Sequence, residues 1–64
     1  METIRTLRQL LKDRKINQQQ FRTYKGQVVS GNEDGCIKGL LRKELITQKE
    51  ADRLVTAYRL EYPE

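Results

Sequence analysis

Sixty-four residues, with thirteen Lys and Arg against nine Asp and Glu, one Cys and neither His nor Trp, leave room for one domain (1–64) with a single small core. A chain of this length buries only about 60% of its unfolded surface, and its lone Cys36 can form neither an internal disulfide nor a Cys/His zinc site. No stretch approaches the roughly 18 apolar residues of a membrane span, and Met1-Glu2-Thr3-Ile4-Arg5 lacks the basic-then-apolar order of a signal peptide, so the expected location is cytoplasmic.

The only proline is Pro63, so nothing forbids helix through the body of the chain. Ile4, Leu7 and Leu11 share one helical face, flanked by Leu10. From Asn17 the chain carries Phe21, Tyr24 and Val28 at i, i+3 and i+7. A third segment holds Ile37, Leu40, Leu41 and Leu45, and a fourth holds Ala51, Leu54, Val55, Tyr58 and Tyr62. No window alternates as a strand does, and the spacing predicts an all-α fold of four short helices arranged as two helical hairpins.

Helix-entry signals agree. Thr47-Gln48-Lys49-Glu50 reads as a capping box, with Ile46 and Ala51 at staple positions; Asn17 and Gln20 repeat it, with Ile16 and Phe21 as the staple pair. Each cap contributes on the order of 1 kcal/mol. Ser30-Gly31-Asn32 reads as a turn, with Asn32 capping the third helix.

The run Leu10-Leu11-Lys12-Asp13-Arg14-Lys15-Ile16-Asn17-Gln18 returns thirty residues later as Leu40-Leu41-Arg42-Lys43-Glu44-Leu45-Ile46-Thr47-Gln48. Leu10-Leu11, Ile16-Asn17, Gln20-Phe21 and Lys25 resemble the SHOCT family of short helical hairpins over residues 7–29, and more loosely over 37–58. The pattern departs where Lys15 replaces the usual Gly, Gln20 the Glu, and Ala51 and Val55 the Phe and Lys of the second copy. The resemblance implies oligomerisation and partner binding, and no catalysis.

Charge is unevenly spread. Residues 1–30 carry seven basic and two acidic side chains, while 31–64 carry six and seven. Arg5, Arg8, Lys12 and Lys15 fall at i, i+3, i+7 and i+10, and Arg22 and Lys25 follow, giving a candidate face for nucleic-acid phosphates or an acidic protein. The alternative is a solvated face that keeps a small protein soluble. The span Ile16 to Gly26 resembles the opening of a repressor-type helix-turn-helix, but Arg22 stands where a small residue is needed. Glu33 and Asp34 would also lead the recognition helix towards phosphates, which disfavours a standard major-groove reader.

Gly35 and Gly39 share one face of the third helix. Two helix-interior glycines cost roughly 1 kcal/mol each, so a close helix crossing within the domain or across a dimer is expected there. Cys36, with no His and with Glu33 and Asp34 nearby, reads as a small core filler. Asn32-Glu33-Asp34-Gly35 lacks the spaced oxygens of a calcium loop, and no nucleotide, zinc or triad motif occurs. The expected function is therefore a non-enzymatic, cofactor-free and metal-free helical module of the bacterial or phage regulator or inhibitor type. It would bind a protein partner or itself, as a homodimer, through Leu54, Tyr58, Tyr62, Gly35 and Gly39; nucleic-acid binding through the basic face is the rival reading.

Overall fold

The computed structural model describes residues 1–61, which form four helices: α1 (Glu2–Lys12), α2 (Gln18–Val29), α3 (Glu33–Arg42) and α4 (Gln48–Glu61). Each helix packs on its sequence neighbours, and α1 closes against α4, so the chain runs as an up-down-up-down bundle of two αα-hairpins. No strand occurs among the described residues. Tyr62, one of the expected interface residues, lies outside them.

Entry into the helices follows the sequence signals. The Asn17 side chain accepts from the Gln20 N–H at 2.8 Å, while Gln20 Oε1 accepts from the Asn17 N–H at 2.9 Å. Thr47 and Glu50 make the same reciprocal pair at 3.1 Å in each direction. Asn32 accepts from the Gly35 N–H at 3.2 Å.

The exits are also repeated. After α1, the Arg14 N–H donates to the Leu11 carbonyl and the Lys15 N–H to that of Leu10; after α3, Glu44 donates to Leu41 and Leu45 to Leu40. Gly31 and Asn32 close α2 the same way, on Val28 and Gln27. These are Schellman closures, which require a left-handed residue just past the helix. Gly31 supplies it at φ 94°, but Arg14 and Glu44 hold φ 60° and 59° despite carrying side chains.

Every helix sends one apolar stripe inward. Leu7, Leu10, Ile16, Tyr24, Val28, Cys36, Ile37, Leu40, Ile46, Ala51 and Leu54 make one continuous core. Ile16 and Ile46, each preceding a cap, are both buried in it, as the staple reading requires. Superposed on the thirty-residue offset, Leu7 corresponds to Ile37, Leu10 to Leu40 and Tyr24 to Leu54, so both hairpins contribute the same positions to a shared centre.

Candidate functional site

The basic stripe is positioned by the burial of the opposite side of α1. Thr3, Leu7 and Leu10 are the buried residues of that helix, so Arg5, Arg8 and Lys12, which fall on the far side at helical spacing, project straight into solvent. Arg5 bonds to Glu2 at 3.1 Å, an exposed i,i+3 pair; such pairs contribute little in water. Arg8 and Lys12 pair with no carboxylate among the described residues.

Lys15 does not extend this stripe. α1 ends at Lys12 and the left-handed turn at Arg14 redirects the chain, so Lys15 lies beyond the helix, although it lines the same α1–α4 groove as Arg5, with Leu45, Glu50 and Arg53. Its charge helps to hold the Glu50 carboxyl below its ordinary range, behind the larger effects of the Thr47 backbone and hydroxyl hydrogen bonds. Arg22 and Lys25 stand on α2, exposed, with the Lys25 ammonium 6.0 Å from the centre of the Phe21 ring.

The expected interface residues separate. Leu54 is 1% exposed and belongs to the core, because its repeat partner Tyr24 and the facing Leu40 surround the same centre; a partner cannot reach it in the folded bundle. Tyr58 is half-buried, and its hydroxyl donates to Asp34 at 2.6 Å, which ties α4 to the start of α3 and raises the phenol above its usual range.

The two glycines do different work from each other. A Cβ on Gly39 would meet the Tyr24 ring at 3.4 Å, an ordinary contact, so α3 faces α2 here without an approach that demands glycine. A Cβ on Gly35 would instead stand 2.5 Å from the Asn32 amide nitrogen, against the cap of its own helix. The glycine spacing therefore does not mark a close helix crossing.

Cys36 is fully buried, and burial, with the nearby Glu33 charge second, pushes its thiol up to about 11. It is a core filler in a site that suppresses the thiolate. The acids at the start of α3 do not act as a pair. Asp34 is exposed on Tyr58, whereas Glu33 is 6% exposed and accepts from the hydroxyl of Thr3. Sequence reasoning missed this buried polar contact, although the positions of Thr3 and Glu33 in the repeat could have flagged it. No group of three or more metal-ligating side chains occurs among the described residues, and no helix there is long and apolar enough to cross a membrane.

Three large apolar side chains remain at the surface: Met1 (46% exposed), Val29 (74%) and Leu60 (77%). Met1 stands just before α1, Val29 is the last residue of α2, and Leu60 is the last but one of α4. No family model, curated protein or solved structure matches the chain.

Proposed function

We propose that the chain is a non-enzymatic helical module that works by binding protein, a partner or a second copy of itself, in the manner of a small bacterial or phage regulator or inhibitor acting in the cytoplasm. The supporting observation is that folding leaves the large apolar side chains of Met1, Val29 and Leu60 at the surface, 46%, 74% and 77% exposed. Apolar surface of this kind is what a partner or a second copy would cover. The SHOCT-like pattern of residues 7–29 points to the same kind of role.

For the self-association part, the test is thermal unfolding over a wide range of protein concentration. A folded dimer gives a Tm that rises with concentration, and Val29→Glu with Leu60→Glu removes that rise while leaving the helices formed. A Tm independent of concentration, with a monomer mass by sedimentation, overturns self-association.

The second reading is binding to nucleic-acid phosphates through Arg5, Arg8 and Lys12, supported by their common exposure on α1, with Arg5 alone among them paired to a carboxylate among the described residues. It requires affinity that falls steeply with salt and is lost on reversal of those three charges. Absence of binding to single- and double-stranded DNA and RNA at low salt ends it.

A further inference from the structure

The two hairpins serve as an internal comparison, because the same backbone is built twice and only part of each sequence is needed to build it. Core, cap and turn positions correspond across the thirty-residue offset. Where exposed positions differ between the copies, folding does not require the difference.

The outer seam between α1 and α2 differs most. On α1, Glu2, Thr6 and Gln9 line the groove shared with the α3–α4 corner, so Ile4, Arg8 and Leu11 lie on the other flank, toward α2. On α2, Gln20 and Thr23 line a groove with Lys43 of the α3 end, which leaves Phe21, Lys25 and Val29 on the flank toward α1. Each flank therefore reads apolar, basic, apolar. Along the chain, Leu11 and Phe21 stand nearest the α1–α2 corner, Ile4 and Val29 farthest from it, and the two cations between.

Ile4, Leu11 and Phe21 are only partly covered, Val29 is 74% exposed, and Arg8 and Lys25 are exposed. Neither flank carries an acidic residue of its own helix: Glu2 and Asp13, the only acids of the first half, both line the opposite groove. In the second hairpin the corresponding residues are Asp34, Lys38, Leu41 and Ala51, Val55, Arg59, and there Asp34 is already engaged by Tyr58 at 2.6 Å. That seam supplies its own acid. The first one does not.

We infer that the α1–α2 seam is a docking surface for an acidic amphipathic helix of a partner protein, an inference that rests on the protein-binding reading above. Exposed cations flanked by partly covered apolar side chains are complementary to carboxylates flanked by apolar side chains. A helix with apolar residues at i and i+7 and Glu at i+3 and i+4 places apolar groups over the two ends and carboxylates over Arg8 and Lys25. A nucleic acid would meet the cations but leave Ile4, Leu11, Phe21 and Val29 uncovered.

The test uses the full chain, isotope-labelled for amide NMR, and a synthetic helical peptide with Leu at i and i+7 and Glu at i+3 and i+4. Titration is expected to shift the amides around Ile4, Arg8, Leu11, Phe21, Lys25 and Val29. Replacing the peptide's Glu by Lys, or its Leu by Ser, is expected to weaken binding by roughly tenfold or more, as is R8E/K25E in the protein. R8Q/K25Q, which removes the charges without reversing them, should fall between, and circular dichroism checks that both variants fold.

Equal binding of the Lys peptide, shifts confined to the second hairpin, or a DNA duplex that displaces the peptide and binds more tightly would overturn the inference. Capture from the native host separates the two levels of the argument. If wild type and R8E/K25E retain the same protein, the seam is the wrong surface while protein binding stands. If wild type retains nothing and does not self-associate, the underlying reading fails with it.

Discussion

Thr3 and Glu33 occupy the same position in the two halves of the chain, thirty residues apart, and their side chains are hydrogen-bonded to each other at 2.5 Å. The contact ties the start of α1 to the start of α3, across the two halves. It is also a polar contact with both partners buried, 1% and 6% exposed, so removing either partner strands the other.

Thr3→Val should destabilise the fold by about 1–3 kcal/mol by leaving the Glu33 carboxylate without its donor. Glu33→Gln, which keeps an acceptor, should cost less. In urea unfolding, T3V and E33A should be strongly non-additive, with a coupling of roughly 1–3 kcal/mol. Additive effects would mean that the two side chains contribute independently.

The closing turns offer a gain in stability. Arg14 and Glu44 stand at φ 60° and 59°, a conformation that suits glycine. Arg14→Gly and Glu44→Gly should each raise stability by about 0.5–1 kcal/mol, the relief of the left-handed strain exceeding the added freedom of the unfolded chain. Gly31→Ala should do the reverse, since Gly31 holds φ 94° with open space around it and only the backbone conformation is at issue. Chemical denaturation of the three variants decides this.

The two capping boxes should differ in acid. Glu50 closes the α4 box and its carboxyl is held below 4.5, first by the Thr47 backbone hydrogen bond and then by the Thr47 hydroxyl. A depressed folded-state value means that the contribution is present above the unfolded carboxyl's range and lost as pH falls through the folded one. Glu50→Gln should therefore flatten part of the loss of stability below pH 4.5. Gln20 fills the same place in the α2 box and does not titrate, so Asn17→Ala should cost on the order of 1 kcal/mol at neutral and acid pH alike.

Cys36 works in the opposite pH range. Its thiol is raised from 9.0 to about 11 in the folded chain, so folding retains a proton that the unfolded chain releases. Stability should be fully present below pH 9 and decline as pH rises towards 11, with Cys36→Ala removing that part of the slope. At neutral pH a thiol reagent should label Cys36 only as fast as the chain unfolds, and rapid labelling of folded protein would show that the side chain is accessible.

Helix number, the three caps and most of the core were legible in the sequence because each depends on neighbours along the chain. Ile16-Asn17-Gln20 and Ile46-Thr47-Glu50 state where a helix begins, and the 3.6-residue spacing of Ala51, Leu54 and Val55 states which side faces in. The surface was harder to read. Extending the basic stripe to Lys15 takes helical spacing past the end of α1, where a Schellman closure forms at Arg14 without a glycine to announce it. Leu54 reads as an interface candidate whose ordinary alternative is core packing, and the core is where it lies, since an apolar stripe does not say what covers it. The sequence places Glu33 in the first turn of α3 but not its burial, which depends on Thr3 across the bundle, a relation that periodicity within one helix cannot reveal.

The turn Ser30-Gly31-Asn32 has an effect beyond closing α2. Without it the two hairpins would be separate molecules, and a core shared between them would form only as fast and as fully as their concentration allowed. Tethered, they meet at an effective concentration set by three residues of chain, so assembly becomes indifferent to dilution. Tethering also removes the demand that both halves be alike. A symmetric pair must show the world two identical faces; a linked pair can keep one half for its own stability and turn the other outward.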